Sequence, residues 1–175
     1  QQGRSAVKSR WEQAQILRSD YGKAYFSTHE VIYLGDRDST WRRLFQLEDS
    51  IQRVMVFQPD QMLIQFFNGH VFWWNANELI ALEGMQRDWV FSAHYSKDQQ
   101  TLSMFTSASE PKDQERIQPK FLQFDKEGKA MGQMKCKFSL NSHRDVVWNE
   151  FRNVVLIIDA EVVAEYDVNK GIKRI

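Results

Sequence analysis

From Lys23 onward, short apolar runs alternate with polar turn clusters. KAYFS is followed by THE and then VIYLGD, and RVMVFQ by PDQ and then MLIQFF. WVFSAHYS faces TLSMFTS across KDQQ, and PKFLQFD faces AMGQMKCKFS across KEGK. DVVWNE, FRN and VVLIID repeat the layout before EVVAEYDV, the turn Asn169-Lys170-Gly171 and IKRI. Short runs bounded by turn residues predict antiparallel strands. Asn68-Gly69 predicts a hairpin with positive φ tolerated at both turn positions, and Gly128 gives KEGK a permissive backbone. A βαβ fold would need crossover helices of about a dozen residues or more, and few windows have a helical period. The expected class is therefore all-β, antiparallel.

Before Lys23 the pattern differs. Residues 1–10 are polar and aperiodic, which suggests a flexible arm. Trp11, Ala14 and Leu17 recur at helical spacing and Gly22 could end the segment, so a short helix and an irregular lead-in strand both fit. Residues 1–22 are read as arm and lead-in, and 23–175 as a single β domain of about four repeat units.

Strand–turn–strand units start near Lys23, Arg53, Trp89 and Asp145, and each is followed by one or two further strands. LQFDKEGKAMGQ and AEYDVNKGIKRI share a shape: a strand ending in Asp, a turn with Lys and Gly, and another strand. This layout resembles the blades of a β-propeller, in which four antiparallel strands recur about every 40 residues. The resemblance covers most of residues 23–175 and rests on layout. No Trp-Asp dipeptide closes a unit, and Gly69-His70 falls at a turn where no unit begins. It implies a small or partial propeller-like domain; a β-sandwich and an irregular barrel fit the same runs.

Composition narrows the function classes. The 23 basic and 23 acidic residues cancel, which removes the charge excess that drives nucleic-acid binding. No apolar stretch approaches the ~20 residues of a membrane-spanning helix. The single cysteine, Cys136, allows no intramolecular disulfide and no Cys-based zinc site. Its neighbours Lys135 and Lys137 would favour a thiolate if it were exposed, but an inert packing cysteine is the expectation. The chain begins at Gln1 rather than Met, which leans toward an exported or periplasmic protein.

Candidate chemistry is sparse. His29, His70, His94 and His143 are scattered, with no metal-ligand spacing. Asp36 and Asp38 lack the rest of a calcium loop. Asp159, Glu161, Glu165 and Asp167 cluster near the C-terminus, where a solvated face is the ordinary explanation. Nucleophile elbows, Ser-x-x-Lys sets and glycine-rich phosphate loops are missing. No cofactor or metal is expected.

The aromatic run HVFWWNAN is the most unusual feature. Phe72 and Trp74 share one strand face, and Val71 and Trp73 the other, so the strand is either buried on both sides or lends one face to a partner. Trp73 and Trp74 are thus core residues first and interface anchors second. Trp41, beside Arg42 and Arg43, is a further anchor candidate for an acidic partner. The polar insertion at 110–118 reads as an exposed loop, in which Glu110, Lys112, Asp113 and Arg116 could meet a partner.

These readings favour a non-catalytic protein-binding domain, with an inhibitor or immunity-type protein as its concrete form. A carbohydrate-binding or hydrolytic protein with a central-cleft site is one alternative, and a structural part of a larger propeller another. Oligomeric state is not encoded in these patterns.

Overall fold

Extended backbone suits the β-branched and aromatic residues that fill these runs. The computed structural model is all-β, with sixteen strands and no helix among the described residues. The structure describes residues 15–19, 22–26, 30–35, 42–46, 50–76, 78–86, 88–108, 116–136, 139, 145–149, 152, 154–158, 163–167 and 171–174. For the strands before residue 50 and for the last strand, it describes the backbone course alone.

Four sheets follow one another along the chain, each a four-stranded antiparallel meander in sequence order. The first holds β1 (Gln15–Ser19), β2 (Gly22–Phe26), β3 (Glu30–Gly35) and β4 (Arg42–Gln46). The second holds β5 (Ile51–Gln58), β6 (Gln61–Phe66), β7 (His70–Asn75) and β8 (Glu78–Gln86). The third holds β9 (Trp89–Ser96), β10 (Thr101–Ser107), β11 (Lys120–Phe124) and β12 (Ala130–Lys135). The fourth holds β13 (Asp145–Asn149), β14 (Val154–Ile158), β15 (Val163–Asp167) and β16 (Gly171–Arg174). Repetition of a four-stranded meander is the layout of propeller blades. The chain divides into two compact units, Gln1–Gln86 and Arg87–Ile175, each with two of the sheets.

Gln15–Ser19, where helix and strand both fitted the sequence, is a strand that pairs with β2 through Leu17↔Ala24 and Ile16↔Tyr25. The first repeat therefore starts one strand earlier than Lys23. The other three start at Ile51, Trp89 and Asp145, close to the expected positions.

The turns show the local chemistry that sets the registers. At Phe66–Gly69 the Gly69 N–H donates to the Phe66 carbonyl at 2.9 Å, and Asn68 Oδ1 accepts from the His70 N–H at 3.0 Å. Among these turn residues only Gly69 has positive φ, 92°. The turn is thus a tight turn ending in one left-handed glycine, rather than the two-residue form with positive φ at both positions. Between β11 and β12, Asp125 Oδ1 accepts from the N–H groups of Glu127 at 3.0 Å and Lys129 at 2.8 Å. Gly128, at φ 79°, completes that turn.

Two of the middle strands are buried on both faces. Every residue of β6 and of β10 is buried, as expected for strands covered on two sides. In the first unit, Ile51, Val54, Met62, Ile64, Phe66 and Trp74 form one core cluster. In the second, Phe105 and Phe121 of the third sheet meet Val155 and Ile157 of the fourth around Cys136. That cluster joins the third and fourth sheets face to face.

Candidate interaction surfaces

Strand alternation gives the fourth sheet two different faces. Val146, Trp148, Val155 and Ile157 point toward the third sheet and belong to its shared core. Trp148 is the tie between the two. Its indole N–H donates to Ser92 Oγ of β9 at 2.7 Å, and its ring stacks on His94 at 5.3 Å between centroids. A tilted contact with Phe105, at 5.5 Å, fixes the ring from the other strand.

The opposite face carries Val147, Leu156, Ile158 and Val163, with buried Val154 at one end and the acidic positions Asp145 and Glu165 across from Ile158 and Leu156. Val147 lies directly across from Leu156, and Ile158 directly across from Val163, so the four are contiguous. Val147 is 47% exposed, Ile158 39% and Val163 42%. Isolated apolar residues on a surface need no explanation, whereas a contiguous set on one sheet face is characteristic of a docking surface. Glu165 borders this set on β15 and forms an ion pair with Arg152 at 3.7 Å.

The residues singled out in the sequence fall into four groups. Trp73 is fully buried and Trp74 nearly so. The Trp73 indole donates to Gln61 Oε1 at 2.6 Å, and Gln61 in turn donates to Asn75 Oδ1. Both tryptophans are core residues in this structure, and neither presents a ring to solvent. Arg42 and Arg43 lie on β4, opposite Tyr33 and Ile32. Trp41, Glu110, Lys112 and Asp113 lie outside the described residues. Arg116 is exposed, and just after it Ile117 packs against the Phe105–Phe121 cluster while Gln118 Nε2 donates to the Cys136 carbonyl at 2.8 Å. The 110–118 segment is thereby anchored at its C-terminal end.

The remaining candidates do not assemble into a reactive centre among the described residues. His70 is exposed at its turn, and His94 stacks on Trp148. His29, His143, Asp36, Asp38, Asp159 and Glu161 lie outside the described residues. No group of three His, Cys, Asp or Glu side chains that could hold a metal occurs among the described residues. Cys136 is buried, and burial pushes its thiol up to about 12. No described helix is long and apolar enough to cross a membrane.

The Val147–Val163 face was missed in the sequence. The signal was there: DVVWN and VVLII are apolar at successive positions, so both faces of each strand had to be apolar.

No family model matches the chain, and no curated protein matches it. Among solved structures it is similar to the crystal structure of BamB from Moraxella catarrhalis, at 13% identity and a TM-score of 0.47. That similarity covers 89% of this chain and 46% of the BamB chain, so this chain spans about half the length of that neighbour. It is also similar to the computationally designed Ika4 protein, at 12% identity and a TM-score of 0.40, over 92% of this chain and 90% of that one.

Proposed function

We propose that this chain is a non-catalytic protein-binding domain. The contiguous apolar face of Val147, Leu156, Ile158 and Val163 carries the reading. Covering such a face removes apolar surface from water, worth about 25 cal/mol per Å² before the costs of association. The other face of the same sheet is already buried in the core, so the exposed one is held on a rigid support.

An inhibitor or immunity-type role is the concrete form. Ile117 and Gln118 fix the end of the 110–118 segment beside exposed Arg116, which supports a loop presented to a partner from a rigid base. Arg116 and the uncharacterised side chains Glu110, Lys112 and Asp113 would then set specificity.

A second reading has its own support. The fourth sheet already stacks one apolar face on the third. A further four-stranded sheet laid on Val147 and Ile158 would repeat that arrangement, and the chain would be a structural part of a larger propeller-like assembly.

Affinity capture from source cells with the full chain as bait tests these readings. Val147→Asp and Ile158→Asp place charges on exposed positions and should leave the fold intact. Loss of a stoichiometric partner with both variants supports the binding face. Capture that survives both variants but is lost on replacing residues 110–116 moves the site to the loop. A partner that is itself a sheet-repeat protein supports the second reading, and no partner at all overturns the proposal.

A further inference from the structure

The hairpin tip between β6 and β7 is uncharged and open to water. From Gln61 to Asn77 the sequence holds no Asp, Glu, Lys or Arg, and Asn68-Gly69 is the chain's single Asn-Gly pair. Phe67, Asn68 and His70 are all exposed at the turn, and Phe67 reaches 68%.

Two groups in this turn are suited to react with each other. The Asn68 side chain offers an amide carbon, Cγ. The next backbone nitrogen belongs to Gly69, which has no Cβ to obstruct a close approach. Asn68 Oδ1 accepts from the His70 N–H at 3.0 Å. That bond draws electron density away from Cγ and stabilises the negative charge that develops on Oδ1 when a nucleophile adds. The Gly69 N–H works in the other direction, because it donates to the Phe66 carbonyl at 2.9 Å. While that bond stands, the proton that must leave the nitrogen is shielded from solvent, as for any protected amide.

We infer that Asn68 is a self-modification site, converted through a cyclic imide to aspartate or isoaspartate, and that opening of the Gly69–Phe66 hydrogen bond gates the conversion. The Gly69 nitrogen gives its proton to hydroxide and forms a bond to Asn68 Cγ. The Cγ–Nδ2 bond breaks, and Nδ2 takes a proton from water and leaves as ammonia. Water then adds to one of the two imide carbonyls and breaks that carbon's bond to nitrogen. The net change is one water consumed and one ammonia released, with no oxidant or reductant.

The product differs in kind from the parent. A carboxylate becomes the only formal charge between Gln61 and Asn77, beside exposed Phe67. Ring opening at Cγ gives aspartate, which keeps the side-chain acceptor for the His70 N–H. Opening at the main-chain carbonyl gives isoaspartate, which adds a methylene to the backbone and loses that local spacing. An exposed turn thus carries a time-dependent chemical switch. The inference goes beyond the protein-binding reading and does not use the Val147 face.

The test incubates the folded full chain in heavy-oxygen water at neutral and at mildly alkaline pH, beside the same chain unfolded in guanidinium chloride. Peptide mass mapping follows every asparagine, and an isoaspartate-specific methyltransferase assay measures the isomer. In the folded chain, position 68 should take up heavy oxygen ahead of all other asparagines, and faster at the higher pH. Its rate should be about tenfold below that of the unfolded chain, reflecting the need to open the turn. Asn68→Gln should leave the peptide unlabelled, and Asn68→Asp supplies the product standard.

No labelling of position 68 in the folded chain after the unfolded chain has converted would overturn the inference. Earlier labelling at another asparagine, or labelling that persists in Asn68→Gln, would overturn it too. Equal rates in the folded and unfolded chains would overturn the gate.

Discussion

Trp148 of β13 and Ser92 of β9 share a 2.7 Å hydrogen bond that crosses from the fourth sheet to the third. The two residues are far apart in sequence and sit at the same place in two successive repeats, on the first strand of each sheet. Their bond orients an aromatic ring that also contacts His94 and Phe105. This side chain adds a hydrogen bond and ring contacts to the cluster that joins the two sheets beneath the exposed Val147 face.

Trp148→Phe should keep much of the ring packing and lose the hydrogen bond, at a cost of about 1 kcal/mol. Trp148→Ala should cost more, about 3 kcal/mol, by removing packing as well. Urea unfolding of Trp148→Phe, Ser92→Ala and the double variant forms a cycle whose coupling energy should be near 1 kcal/mol. Strict additivity would show that the bond contributes nothing in solution.

Trp73 makes the opposite case, a tryptophan whose polar atom is satisfied inside one sheet. Trp73→Phe strands Gln61 Oε1 in a buried site where water has little access. The expected loss is about 2 kcal/mol, toward the upper end for an unsatisfied buried acceptor. Pairing the change with Gln61→Leu should recover part of it, since both polar groups then leave together. Thermal unfolding of the single and double variants measures the recovery.

Much of this was legible in the residues. The KDQQ and KEGK hairpins and the starts at Trp89 and Asp145 follow from local alternation and turn chemistry, whereas the Trp73 strand fitted both two-sided burial and a face lent to a partner. Surface exposure was not legible. Val146 and Val147 are the same residue type side by side, yet Val146 joins the core and Val147 faces solvent. Alternation assigns them to opposite faces, but only the stacking of sheets distant in sequence decides which face is covered. The same holds for AMGQMK, which reads as an ordinary strand until the sheet order places it at an edge. Gln15–Ser19 was ambiguous because five residues are too few to separate a period of two from one of 3.6.

Thr106 is fully buried on β10, and its hydroxyl has no hydrogen-bond partner among the described residues. A hydroxyl taken out of water without a partner costs about 1–3 kcal/mol by mutational measures. Thr106→Val replaces it with a methyl group of similar size and retains the branched shape that suits a strand. The variant should be more stable than the parent by about 1 kcal/mol, read as a raised urea midpoint with an unchanged slope. A lowered midpoint would mean that the hydroxyl makes an interaction in solution that offsets its burial.

Cys136 closes the core between the third and fourth sheets, and its environment makes stability sensitive to alkaline pH. Burial raises its thiol from 9.0 to about 12 because the thiolate would lose its hydration. Above 9.0 the unfolded chain releases this proton while the folded protein holds it. The unfolded state then binds fewer protons, so this group lowers stability as pH rises, by about 1.4 kcal/mol per unit, until the folded thiol also ionises near 12. Below 9.0 both states keep the proton and the contribution is flat. Other groups titrate in the same window, so the measurement is a comparison. Denaturant unfolding of the parent and of Cys136→Ala, followed from pH 7 to 11, should give curves that run parallel below 9.0 and converge above it. Convergence isolates the thiol, because alanine lacks the titration and keeps the surroundings nearly the same. A slow reaction with a thiol reagent, accelerated in urea, should accompany it. Curves that stay parallel throughout would show that the Cys136 site is open to water in the folded protein.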